Sequence, residues 1–444
     1  MNLTYNIYHH TKIKKIFYEW GFLSFAVLCL PTFIYKTFNP LTETGLIYLL
    51  ISGCLIIPVF ESLVFFLKGI FLGISEKNPI GKSTKDERCK IAFFSEGKNY
   101  WGTFKPIIQA LIKMRVDFSY FTLDIQDPAL LIKSEFMKSE FLGHGVWAFY
   151  KASNIKSDIL VSTTPNIGNS GFPIKRPGKV KNMIHIFHSI SDISVYKTGS
   201  LDFYDSVVLV GNFQSKSIRK IEEVRNLLPK ELISLGLPYI DELIKEKSEK
   251  KIKNESKTVL IGSSWGPKGC LKSYGIDFIK GIISAGYNVI IRPHPQSFIS
   301  EPDLIHNYKQ QLKNYVNVVW DEMISPSNAM NSADILISDT SSIRFDFAFI
   351  YKKPVITLAI STKEMPGYER DYLDRTWSDE TETKIGFVIE KESINQLNKY
   401  IEMAFEEYDS SKIDSFRDQT ICNFGCSGDE IANYLFNKTR EFVS

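Results

Sequence analysis

The sequence predicts an α/β protein with two Rossmann-like open-sheet domains behind an N-terminal α-helical membrane hairpin. Three observations carry this. From Lys90 onward, short apolar strands alternate with helical patterns. A second such series starts after a charge-dense run at residues 245–257. Roughly the first 75 residues are apolar and unlike everything that follows. A chain of 444 residues exceeds what one hydrophobic core usually organises, so several domains are expected. The formal charge of +3 is nearly balanced and excludes nucleic acid as a bulk electrostatic partner. The six cysteines are scattered, and Cys422 and Cys426 lack a second pair, so neither a zinc site nor a disulfide framework is expected. Reduced thiols in the cytosol fit this usage.

Residues 1–78 form the expected membrane anchor. Phe22 to Tyr35 is almost wholly apolar, with Trp20 and Tyr35 at its ends as interfacial anchors. Leu46 to Phe66 adds about 21 residues with Glu61 as the single charge, enough to cross the hydrocarbon of a bilayer. The second apolar run, and the lack of an Ala-x-Ala pattern, argue against a cleaved signal peptide. Lys12, Lys14 and Lys15 precede the pair, and Lys77, Lys82, Lys85, Arg88 and Lys90 follow it. Positive flanks on both sides place both ends, and the soluble domains, on the cytoplasmic face of the inner or plasma membrane. Pro31, Pro58 and Glu61 leave a half-inserted hairpin open as the alternative to full spanning.

The first soluble domain, residues 88–243, has strands predicted at Ile91–Phe94, Asp117–Leu123, Ile159–Ser162, Met183–Phe187 and Ser206–Val210. The second, residues 256–444 including the terminal helices, has them at Thr258–Gly262, Asn288–Arg292, Asn317–Trp320, Asp334–Ser338 and Pro354–Leu358. The lysine- and glutamate-rich run between them reads as a solvated, mobile connector. Ligands of open α/β sheets bind beyond the carboxyl ends of the strands, so both domains should turn those loops toward one cleft.

The most informative loop follows the strand ending at Ser338. Asp339, Thr340, Ser341 and Ser342 lead into a helical pattern, placing hydroxyls and backbone N–H groups where an anion would bind. Capping alone needs one such residue, so adjacent serines behind Asp339 favour phosphate or diphosphate binding. In the second domain, Arg292-Pro293-His294-Pro295 closes a strand with a rigid turn that fixes Arg292 and His294 as donors to a diphosphate. In the first, His188 ends a strand and is the candidate base for an acceptor hydroxyl. Gly262-Ser263-Ser264-Trp265-Gly266 offers close backbone approach at Ser264 and a stacking face at Trp265. Asp192 either orients a substrate or caps a helix, and Asp346 reads as a structural acceptor. No acidic cluster with metal-ligand spacing appears, so neither a metal nor an organic cofactor is expected.

Taken in order, His188-Ser189, Ser234-Leu235-Gly236-Leu237-Pro238-Tyr239-Ile240-Asp241, Arg292-Pro293-His294-Pro295, Asp339-Thr340-Ser341-Ser342 with Asp346, and Lys353-Pro354 resemble the CDP-glycerol glycerophosphotransferase family. The resemblance covers about residues 90–435. Phe187-His188-Ser189 stands where that family usually has Trp-His-Gly. The resemblance implies a GT-B arrangement and transfer of glycerol phosphate from CDP-glycerol to a hydroxyl of a lipid-linked or glycan acceptor, with CMP released, in teichoic-acid-type polymer synthesis. It also implies His188 as general base, His294 with Arg292 at the diphosphate, and the serine pair on phosphate. A GT-B transferase using CDP-ribitol or a CMP-activated sugar for capsule or surface glycan is the alternative. A membrane-tethered binding protein with a decayed site and a sugar-nucleotide epimerase of similar fold are more distant ones.

Overall fold

The computed structural model describes residues 88–247, 256–360 and 366–442. By compactness the chain divides into two units, and residues 87–141 and 151–444 form the one that carries both sheets. The described part of the other unit, residues 142–150, is a short loop and most of a helix, Gly145–Ala152. The expected hairpin at residues 1–78 and most of the expected connector lie outside the described residues. Among the described residues no helix is long and apolar enough to cross a membrane.

The first sheet comprises β1 (Cys89–Ser95), β2 (Phe118–Thr122), β3 (Met137–Phe141), β4 (Lys156–Ser162), β5 (Lys179–Ile186), β6 (Ser206–Leu209) and β7 (Glu231–Ser234). Every pairing is parallel and the order is β3-β2-β1-β4-β5-β6-β7. Its helices include α1 (Trp101–Lys113), α2 (Phe213–Val224) and α3 (Pro238–Glu246). The central strands are buried on both faces, which is why they read as continuous apolar runs rather than alternating ones.

The second sheet comprises β8 (Thr258–Gly262), β9 (Asn288–Arg292), β10 (Val318–Trp320), β11 (Ile335–Ser338), β12 (Val355–Leu358) and β13 (Gly386–Ile389). It too is wholly parallel, in the order β10-β9-β8-β11-β12-β13. Helices α4 (Asp277–Ser284), α5 (Pro302–Leu312), α6 (Ile343–Asp346), α7 (Trp377–Thr381), α8 (Leu397–Glu406), α9 (Ser410–Thr420) and α10 (Ser427–Glu441) follow along the chain. Ile279, Ile282, Ile305, Leu312 and Ile401 from α4, α5 and α8 close a core over Val259, Ile261, Ile291 and Ile337.

Three strands have no counterpart in the sequence reading: β3, β7 and β13, each at a sheet edge. One correction concerns the terminal helices, which were expected with the second domain. The last of them, α10, instead packs on the first sheet, where Ile431, Ala432 and Leu435 join Ile91, Phe104, Ile107 and Ile108 in one core. Its seat is built by the Ser234–Asp241 motif. The Asp241 carboxylate accepts the N–H groups of Ser427 at 3.2 Å and Gly428 at 2.7 Å, capping a 15-residue helix. Gly236 has φ +90°, and a Cβ there would lie 2.2 Å from the carbonyl oxygen of Cys422. A Cβ on Gly428 would likewise sit 2.5 Å from Pro106 of α1.

Gly236→Ala combines left-handed backbone strain with that clash, so we expect a loss of roughly 3 kcal/mol or more in urea denaturation. Asp241→Ala removes the cap and should cost about 1–3 kcal/mol in the same measurement.

Candidate active site

Strand order reverses at β8 and β11, which are neighbours, and their carboxyl ends hold the two loops singled out from the sequence. One carboxylate ties these loops together. Asp339 is fully buried, and its Oδ2 accepts the N–H of Ser264 at 2.8 Å, the N–H of Cys270 at 2.7 Å and the hydroxyl of Ser263 at 3.3 Å. Its Oδ1 accepts the N–H of Ser341 at 3.0 Å. Burial pushes its pKa up, and these donors pull it down. Asp339 is therefore a positioning residue rather than a ligand contact, which corrects the expectation for it. It also occupies the Ser264 and Ser341 N–H groups, leaving the adjacent side chains to meet a ligand.

Those side chains are available. Thr340, Ser341 and Ser342 are half-buried, no side chain caps α6, and their hydroxyls bond to no other described residue. The capping explanation for the serine pair thus fails. Beneath them lies Arg344, fully buried and absent from the sequence-derived candidates. Its Nε donates to the carbonyl of Ser341 at 3.1 Å and its Nη1 to Thr357 Oγ1 at 2.9 Å, while Nη2 has no partner among the described residues. Helix α6 lasts one turn and continues as a π-helical turn at Phe347–Tyr351, a form common near functional sites.

Arg292 departs from its expected role. Its guanidinium is held by Asp321 at 2.5 Å and donates to the carbonyl of Ile324 at 3.0 Å, so its charge is largely paired. His294, two residues on, accepts the N–H of Gln296 on Nδ1 at 3.0 Å. That bond leaves the neutral ring's proton on Nε2, a donor free to turn elsewhere. Burial holds His294 down to about 3, and the neighbouring His188 and Arg292 add to the effect.

His188, just past β5, is half-buried and also pushed down to about 3 by burial. Tyr100 meets its ring edge-on at 5.2 Å, and His188 Nδ1 has no hydrogen-bond partner among the described residues. His188 contributes electrostatically to the lowering of His294, although the two imidazoles follow strands of different sheets. The motif residue Tyr239 is shared in the same way: its hydroxyl is raised by burial first, then by Asp346, and lowered by Arg292. His185, by contrast, belongs to the core, with Nε2 3.2 Å from the Tyr196 hydroxyl.

Asp192 and Lys353 serve the fold. Asp192 caps the short turn at Ile193–Val195, which selects the capping reading over substrate contact. Lys353 donates to the carbonyls of Met330, Asn331 and Ala333. Trp265 is half-buried on the β8 loop, where Gly266 N–H is fixed by Glu301 at 2.8 Å. Asp346 is buried with Oδ1 unpartnered, and burial raises it to about 7.

Residues 195–425, just over half the chain, match the family described as CDP-Glycerol:Poly(glycerophosphate) glycerophosphotransferase. The chain belongs to that family. It is accordingly a CDP-glycerol glycerophosphotransferase-like enzyme. His294 and the Asp339–Ser342 loop fall inside the matched stretch, and His188 lies just before it. Among solved structures, this glycerophosphotransferase family member is similar to the wall teichoic acid polymerase TagF, solved with CDPG. That match has 16% identity and a TM-score of 0.54, covering 87% of this chain and 98% of that one. It is also similar to the UDP-GlcNAc 2-epimerase of Methanocaldococcus jannaschii, at 15% identity and TM-score 0.52, covering 78% and 99%. S. aureus MnaA with UDP gives 11% identity and TM-score 0.55, covering 81% and 98%. At these identities the likeness shows the fold, two parallel-sheet α/β domains of the GT-B kind. No curated protein sequence matches the chain.

Asp346 supplies a pH test. Its folded-state value, about 7, lies above the ordinary 3.8, so its contribution is intact below 3.8 and is lost as pH rises through 7. Asp346→Asn should therefore gain stability over wild type, with the gap widening by roughly 2 kcal/mol between pH 5 and pH 8 in urea denaturation. A gap that stays constant with pH would show that Asp346 is ionised in the folded state.

Proposed function

We propose that this protein moves glycerol phosphate from CDP-glycerol to a hydroxyl of a lipid-linked or glycan acceptor, releasing CMP, in cell-surface polymer synthesis. The observation that carries the reading is a loop at the strand crossover of a family member, whose three hydroxyls bond to no other described residue, with His294 subject to the electrostatic influence of His188. The acceptor oxygen attacks the phosphorus that bears glycerol. A new P–O bond forms, the bond to the bridging oxygen breaks, and the electron pair leaves on CMP. The acceptor proton passes to His188.

A base must be unprotonated to act, and burial keeps His188 neutral at physiological pH. Its intrinsic basicity at this buried position is low. The negative charge of an arriving diphosphate raises it toward the working range. Nε2–H of His294 and the hydroxyls of Thr340, Ser341 and Ser342 are the donors for the charge developing on the leaving phosphate. Ser264 and Trp265 line the nucleotide side of the same loops, and Arg292 contributes by holding the His294 turn. Phosphoryl transfer depends mainly on such positioning and charge stabilisation.

Membrane association is part of the proposal. The apolar stretches within residues 1–78 and their basic flanks support an anchored enzyme with its catalytic domains on the cytoplasmic face, beside lipid-linked acceptors.

The test is CMP release by purified full-length protein given CDP-glycerol and a membrane extract, with mass spectrometry of the product. We expect glycerol phosphate on the acceptor, negligible turnover without acceptor, and no loss of activity in EDTA. Comparable turnover of CDP-ribitol or a CMP-activated sugar in place of CDP-glycerol would sink the donor assignment. His188→Ala should lower kcat by about 100- to 10,000-fold. Ser341→Ala/Ser342→Ala should raise KM for CDP-glycerol by about tenfold or more.

A further inference from the structure

Between β12 and β13 the chain makes an excursion, residues 366–384, that contacts the flanks of both candidate loops. On one side it is bonded to the segment that follows His188. Glu369 N–H donates to the Tyr196 carbonyl at 2.8 Å, and Thr198 N–H donates to the Gly367 carbonyl at 3.0 Å. Gly199 N–H donates to Glu369 Oε1 at 2.7 Å, and Lys197 and Tyr368 form an antiparallel bridge. Arg225 of the first sheet's flank adds an ion pair to Glu369 at 3.1 Å. Tyr196 in turn stacks on Phe187, the neighbour of His188, at 5.6 Å and 24°.

On its other side the same segment backs the phosphate-facing loop. The Trp377 ring lies 4.8 Å from Phe345 of α6 and 4.1 Å from Phe213 of α2, nearly parallel to the latter at 26°. Trp377 N–H donates to Asp192 Oδ2 at 3.2 Å, and Asp192 sits four residues past His188. Glu382 approaches the buried Arg344, which holds the Ser341 carbonyl, at 3.8 Å. One short segment thus contacts the supports of the base and the supports of the hydroxyl run.

We propose that residues 366–384 act as a strap that sets the spacing of His188 from the Thr340–Ser342 hydroxyls, with Trp377 as its central positioning residue. The proposal rests on the transferase reading above. Trp377 touches neither the base nor the hydroxyls, so its loss leaves the donor cradle formed and misaligns the base. Misplacement of a catalytic group by about 1 Å costs on the order of 100-fold in rate.

The experiment is steady-state kinetics on full-length Trp377→Ala, Trp377→Phe and Glu369→Gln, with hydrogen exchange at Thr198 and Gly199 followed by mass spectrometry. For Trp377→Ala we expect kcat to fall about 30- to 100-fold, with KM for CDP-glycerol changed less than about threefold. CMP released to water rather than acceptor should rise as a share of turnover, and both amides should exchange faster. Trp377→Phe keeps a stacking ring and should recover most of the rate. Glu369→Gln should shift kcat the same way by a smaller factor, and it decides the matter if Trp377→Ala does not fold. A folded Trp377→Ala that loses donor affinity at unchanged kcat, or that matches wild type, overturns the strap. So does Trp377→Phe as impaired as Trp377→Ala. Wild-type protein that never releases CMP from CDP-glycerol overturns the transferase reading instead. In that case unchanged exchange at Thr198 and Gly199 in Trp377→Ala still refutes the strap.

Discussion

Asp339 accepts three backbone N–H groups from two loops that are far apart in sequence, and the site takes its shape from that carboxylate. A charge fully removed from water is tolerated only when hydrogen bonds replace its hydration. Here Ser264, Cys270 and Ser341 supply them, and in doing so are drawn to one point at the strand crossover. The hydroxyls of Thr340, Ser341 and Ser342 are then left without a partner among the described residues. Their availability follows from where the backbone groups are spent.

Charge is arranged economically around this centre. Arg292 is neutralised by Asp321, and burial keeps both site imidazoles uncharged. Arg344 faces Glu382 across 3.8 Å and Asp339 through space. The site therefore offers donors and dipoles more than net positive charge. Fixed dipoles in a partly dry site stabilise developing charge without having to reorganise during reaction. They also avoid binding phosphate so tightly that a product such as CMP would be slow to leave.

The central strands were legible because burial on both faces writes an unmistakable apolar run. Thr258–Gly262 and Asn288–Arg292 emerge with the same limits by sequence and by structure. The missed strands are edge strands whose half-solvated faces dilute the signal: Met-Lys-Ser-Glu-Phe at β3 and Glu-Leu-Ile-Ser at β7. In the site, the loops and histidines stood out because they close strands. The roles of Asp339 and Arg292 did not, since residue type cannot say whether a charge is already satisfied. Arg344 and Trp377 were overlooked for a related reason. Each reads as an ordinary helix residue, and only tertiary contact reveals what it supports. Tyr239 was visible as part of a motif, but its neighbours Asp346 and Arg292 come from the other sheet.

The return of α10 to the first sheet has a consequence for how the polypeptide is made. Ile91, Phe104 and Ile107 leave the ribosome before the second sheet is made, yet the side chains that cover them, Ile431, Ala432 and Leu435, are synthesised only after it. Vectorial, domain-by-domain folding is thereby denied to the first half, which must wait with an unsealed apolar face. Cutting the chain at the lysine-rich connector would leave the first sheet without the helix that seals its core, and would leave that helix's apolar face uncovered on the second fragment.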